Sequence, residues 1–210
     1  ITNSYLSPMR RALIQIIILT IFMGNSLSIL AESISAHEHA ERTHNNIILI
    51  LQTKNALFEE DPELFIQEIS NAFSPIVDFK RIARNVMGKH YKSSTASQRE
   101  RFSEAFKVSL LNTYSKTLIE FKDEKIVVLP SKNESESKNK VKVHIEIITA
   151  SKSYPGVYSM YLDKNGEWKI INIVVNGINL GLTFRSQFYS LMEKNQNDIS
   201  LVIDKWIASV

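Results

Sequence analysis

The sequence predicts an α+β domain in which helices pack on one curved antiparallel sheet of about four strands. Three observations lead there. Apolar residues recur at three- and four-residue spacing from Ile47 to Phe121, and alternate with polar ones between Ile126 and Val175. From Phe184 onward they return to helical spacing. With 210 residues, 44% of them hydrophobic, the chain can bury the core of one such domain.

The elements follow in order. Arg10 and Arg11 precede the 12-residue run Ala12 to Met23, broken only by Gln15 and Thr20, and then Gly24 and "NSLSILAES". A basic start, a short apolar stretch and small residues make a secretory signal peptide. At about 1.5 Å per residue the run reaches ~18 Å, short of the roughly 30 Å that a spanning helix needs. Residues 1–31 are therefore expected to be removed, with Ser28, Ala31 or Ala36 each fitting as the last residue lost, and 32–210 to form a single domain. Extending the run through Leu30 instead gives a membrane anchor.

"HEHAERTH" follows, and its His37, His39 and His44 read as a solvated tail rather than a metal site, because the HExxH order is missing. In "IILILQTKNALFEEDPELFIQEISNAF" two short helices are expected. The second is capped by Asp61 with Pro62 at its first position, and carries Leu64, Phe65, Ile69 and Phe73 on one side. Ser74 and Pro75 repeat that start signal, and Gly88 stops the helix they open. Thr95 and Gln98 form a capping box before a long helix striped by Phe102, Phe106, Leu110, Tyr114, Leu118 and Phe121. "KIVVLP" is a strand, "SKNESESKNK" a polar loop, and "VKVHIEIIT" an alternating strand that turns His144 to the wet face. "GVYSMYLD" and "EWKIINIVV" make a hairpin across Asn165 and Gly166. Two helices close the chain, one striped by Phe184, Phe188 and Leu191, the other by Ile199, Val202, Ile203, Trp206 and Ile207.

Several functions are excluded or disfavoured. Without cysteine there is no disulfide, thiolate nucleophile or cysteine-ligated metal. Loss of residues 1–31 lowers the formal net charge from +3 to +1, so no nucleic-acid partner is expected. The six glycines build neither a phosphate loop nor a nucleophile elbow. The inward strand faces carry no acid, which argues against proton-transfer catalysis, and no cofactor or metal is expected.

The residues that remain fit a family. "YKSSTASQRERFSEAFKVSLLNTYSKTL" and "NGEWKIINIVVNGINLGLTFRSQFYSLM" resemble the MlaC, or toluene-tolerance auxiliary, family over roughly Leu64 to Trp206. The markers are Gly88 with Tyr91, then Gln98, Arg99 and Phe102, Tyr114, Gly166 and Trp168, Gly177, and Arg185 with Gln187 and Phe188. The chain departs from the family pattern at Asn172, where Asp is common, at Asn176, where Glu precedes the Gly, and at Asn179, where Ser is common.

The resemblance implies a periplasmic, non-enzymatic carrier that holds phospholipid acyl chains in an apolar pocket. It also implies the partners: an inner-membrane ABC transporter with an MCE subunit and an outer-membrane lipoprotein complex, between which a monomer would shuttle lipid to maintain outer-membrane asymmetry. A related branch of the family accompanies hopanoid lipids. Expected to line the pocket are Val86, Met87, Tyr91, Phe106, Leu110 and Tyr114 from the helices. Val143, Ile145, Ile147, Tyr158, Met160, Ile173, Val175 and Ile178 are expected from the sheet, with Phe184 and Phe188 from the helix after it. Two other readings stand beside this one: a cavity enzyme acting on a hydrophobic molecule, and a membrane-anchored adaptor with a filled core.

Overall fold

The computed structural model describes residues 34–120, 123–130, 137 and 139–208; the segment expected to be a signal peptide, Phe121 and most of the polar loop lie outside them. Helix α1 (Ala36–Thr53) starts at Ser35, whose hydroxyl accepts from the Glu38 amide. The histidines read as a tail thus lie in a helix. Its buried stripe, Ala36, Ala40, His44, Ile47 and Leu51, keeps a three-to-four-residue spacing, but alanines and a histidine gave that spacing no apolar signature in the sequence. After the short α2 (Leu57–Glu60), Asp61 caps α3 (Pro62–Phe73) by accepting from the Leu64 amide. Phe65 and Ile69 are buried, while Leu64 faces outward.

Ser74 closes α3 instead of opening the next helix. Ser74 to Ile76 form a turn and Val77 makes a parallel bridge with Ile170, with the Ile170 amide donating to the Ile76 carbonyl at 2.7 Å, and this long-range pairing overrides the local start signal. Asp78 then caps α4 (Phe79–Met87), which ends at Gly88. Beyond α5 (His90–Ser93), the Thr95–Gln98 box opens α6 (Ala96–Glu120).

The sheet is a curved antiparallel meander of β1 (Lys125–Val128), β2 (Lys140–Ile148), β3 (Ser153–Leu162), β4 (Trp168–Val175) and β5 (Ile178–Asn179), in that order. The fifth strand exists because Asn176 and Gly177, at φ 48° and 79°, both take the left-handed conformation that a tight hairpin turn requires. Val175 therefore pairs back with Ile178 before the chain enters α7 (Leu180–Lys194) and α8 (Ile199–Ala208). The expectation of about four strands had no place for this short return.

Two large cores result. Phe102 and Phe106 of α6 meet Phe188 of α7 and Trp206 of α8 in edge-on and tilted contacts, with ring centroids as close as 4.8 Å. Val143, Ile145, Tyr158 and Met160 of the sheet pack under Ala36 and Ala40 of α1. A third, smaller cluster joins α1, α3 and α6 through Leu51, Phe65, Ile69 and Leu111.

Candidate functional site

Between these cores lies a gap. An almost wholly apolar cavity of about 250 Å³ is bounded by Phe73 of α3, by Val77 of the connector, and by Phe79 and Ile82 of α4. Helix α6 supplies Phe106, Leu110, Leu111, Tyr114, Thr117 and Leu118; the remaining wall is Asn172 and Ile173 of β4 with Leu180, Gly181 and Phe184 of α7. The aromatic stripe of α6 therefore divides its work. Its first turns fill core at Phe102 and Phe106, and its later turns present Leu110 and Tyr114 to the cavity.

The wall where β5 passes into α7 has two of its helix-end amides satisfied internally. The first amides of a helix lack intrahelical partners. Here the Leu182 amide donates to Asn179 Oδ1 at 3.1 Å, and the Gly181 amide to Asn172 Oδ1 at 3.1 Å. The three asparagines that depart from the expected pattern are thus a strand-borne cap, a turn residue and a helix N-cap. Arg185 ties the same helix to α4 by donating from Nε to the Asn85 carbonyl at 2.7 Å. Among the described residues, the cavity lining holds no carboxylate, histidine or lysine.

One polar pair lies outside the cavity, under α1. Nε2 of His44 and the Tyr158 hydroxyl share a hydrogen bond of 2.7 Å across 114 residues of chain, and the rings meet edge-on. Burial lowers the His44 pKa to about 4 and pushes the Tyr158 phenol far above its usual value. Both groups are therefore neutral near pH 7. Among the described residues no group of His, Cys, Asp and Glu could hold a metal ion, and no helix is long and apolar enough to cross a membrane.

Residues 41–208 match the family model described as MlaC protein. The chain belongs to the MlaC family. A toluene tolerance protein of Pseudomonas putida, ttg2D, is 31% identical over 175 residues, covering 83% of this chain and 80% of the relative. The intermembrane phospholipid transport system binding protein MlaC of Haemophilus influenzae is 27% identical over 137 residues, 62% of each chain. A phospholipid-binding protein from Ralstonia solanacearum, solved in complex with a phospholipid, shares the fold at a TM-score of 0.75 and 21% identity, covering 84% of this chain and 98% of that one.

In this MlaC-family chain the residues expected at the pocket separate into groups. Phe106, Leu110, Tyr114, Ile173 and Phe184 line the cavity. Val86, Met87 and Phe188 are fully buried in the helical core, and Tyr91 packs against it. Val143, Ile145, Tyr158 and Met160 are buried beneath α1, with Ile147 packed alongside. Val175 is half-buried at the strand end, and Ile178 is 59% exposed because β5 turns it outward. Phe73, Val77, Phe79, Ile82, Leu111, Leu118 and Leu180 line the cavity without having been picked out. Periodicity could have nominated Phe79 and Ile82, which recur along α4 with Val86.

Proposed function

We propose that the chain is a periplasmic carrier that takes phospholipid acyl chains into the cavity between α4, α6, β4 and α7. The observation that carries this reading is the lining: almost wholly apolar, with the Gly181 and Leu182 amides capped and, among the described residues, no acid, histidine or lysine. Each buried methylene contributes about 0.8 kcal/mol, so a tail needs contact area alone, with no specific polar contact. The phospholipid transport system to which the Haemophilus relative belongs and the phospholipid bound to the Ralstonia protein support the same ligand class. On this reading residues 1–31 export the chain and are removed, leaving one domain. As a monomer it exchanges lipid between an outer-membrane lipoprotein complex and an inner-membrane ABC transporter with an MCE subunit.

Native mass spectrometry of the mature chain, purified from a Gram-negative host without detergent and followed by lipid extraction, tests it. Added masses matching phospholipids are the expected result. A ligand-free mass, with no uptake after mixing with liposomes, would sink the carrier reading.

A further inference from the structure

A second, charged cleft of about 310 Å³ adjoins the apolar cavity, and Val77 and Phe79 line both. Helix α6 runs past the two. Ser103, Glu104 and Lys107 face the cleft from the same turns that give Phe106 and Leu110 to the cavity. The cleft brings together three ammonium groups, of Lys80, Lys107 and Lys169, and three carboxylates, of Asp78, Glu104 and Asp163. That balance disfavours a simple anion, which would meet as many like charges as opposite ones.

We propose that this cleft is a head-group subsite for a zwitterionic phosphoalkylammonium lipid, whose tails lie in the adjoining cavity. The inference rests on the carrier reading and specifies the ligand further.

The cleft has a fixed part and an exchangeable part. Asp78 is held by the Arg81 amide and the Tyr161 hydroxyl, whose ring lies under the Arg81 guanidinium at 4.0 Å. Lys169, with a side chain only 15% exposed, donates to the Pro75 carbonyl and to Glu167. In contrast, Lys80 pairs with Glu100 at an open position and half-buried Lys107 with open Glu104, and ion pairs with an open partner contribute little and exchange readily for a ligand. Lys80 and Lys107 can thus turn to a phosphate and Glu104 to an ammonium group, while Asp163, whose Oδ1 accepts from the Asn165 and Glu167 amides, offers its other carboxylate oxygen to the same ammonium. The backbone amides of Glu167 and Asn165 keep Asp163 ionised by lowering its pKa. Ser103 is buried, lines the cleft and makes no hydrogen bond among the described residues, so its hydroxyl is available to a phosphate oxygen.

The test loads the mature chain from liposomes of phosphatidylethanolamine and phosphatidylglycerol in equal parts and quantifies the extracted lipid. The wild type should enrich the ethanolamine lipid. A Glu104→Gln/Asp163→Asn variant should lower the ethanolamine-to-glycerol ratio by about threefold, and Lys80→Ala/Lys107→Ala should raise it by a similar factor, since each leaves the cleft with one sign in excess. Opposite shifts are not what a general loss of structure produces. Should a double variant fail to fold, Glu104→Gln or Lys107→Ala alone carries the same sign.

Ratios unchanged from wild type in folded, lipid-loaded variants overturn the subsite while leaving the carrier reading standing. No lipid on the wild type itself overturns both. Soluble glycerophosphoethanolamine should bind far more weakly than the lipid; equal affinity would make the cleft an independent small-molecule site and refute the proposal.

Discussion

Acidification tests how α1 is held on the sheet. His44 is 7% exposed, its Nε2 faces the Tyr158 hydroxyl, and its Nδ1 has no hydrogen-bond partner among the described residues. A protonated ring there would bury a charge and leave an N–H unpaired, and this holds the pKa near 4 against an ordinary value of 6.5. The sign follows. As pH falls, the unfolded chain takes up this proton near its ordinary pKa while the folded chain resists until about 4. The contribution is therefore fully present above the ordinary pKa, lost as pH falls between the two values, and gone below the lower one. At 1.36 kcal/mol per unit the loss is about 3 kcal/mol, or roughly 6–12 °C in Tm for a domain of this size. Carboxylates also titrate in this range, so the readout is a difference. Thermal unfolding of the wild type and of His44→Gln, followed by circular dichroism from about pH 7 to about pH 4, should show the wild type losing about 3 kcal/mol relative to the variant. The lowered pKa values of His39 and His90 act in both proteins and cancel. A difference constant to within about 0.5 kcal/mol would refute a buried, neutral His44 beneath α1.

Two further outcomes are expected. Leu110→Asp places a carboxylate in the apolar cavity, and should weaken lipid retention by at least about 2 kcal/mol, on the order of 30-fold, in the liposome-loading assay. Wild-type retention by a folded variant would remove Leu110 from the lipid site. Gly88→Ala forces a side chain onto a backbone at φ 52°, where the new Cβ would lie 2.2 Å from the Tyr189 hydroxyl that accepts from the Lys89 amide. Backbone strain alone costs about 1–3 kcal/mol, so calorimetry should show Tm lowered by several degrees, and an unchanged Tm would contradict that backbone geometry.

What was legible in the sequence was local. Thr95 with Gln98, and Asp61 with Pro62, set helix starts through contacts three residues apart, and both starts stand where the sequence put them. The meander was legible because alternation survives in β2, where Val143 and Ile145 are buried and Lys142 is exposed. Long-range pairings defeated the same logic. Ser74 and Pro75 resemble a helix start, but they lie in a turn that brings the Ile76 carbonyl and Val77 to Ile170. His44 reads as part of a polar tail, yet its partner Tyr158 is 114 residues away. The cavity shows the same limit. Periodicity marks Phe102, Phe106 and Leu110 as one inward stripe, but whether an inward side chain meets a neighbour or a void depends on where α7 and β4 stop short of each other.

One wall of the cavity is built where β5 leads into α7 beside β4. A helix beginning at a strand end usually offers free amides and the positive end of its dipole, the arrangement that binds phosphate in nucleotide enzymes. Here Asn179 and Asn172 take up the Leu182 and Gly181 amides, and the following residues Leu180 and Phe184 face the cavity. Capping converts a polar helix end into an apolar wall. An aspartate at position 172 could accept from the same Gly181 amide, but would bring a full charge to a lining otherwise almost free of polar groups. The neutral amides keep the cap and omit that charge. They therefore suit a surface whose ligand is hydrocarbon, while the charges able to meet a head group lie beyond Val77 and Phe79.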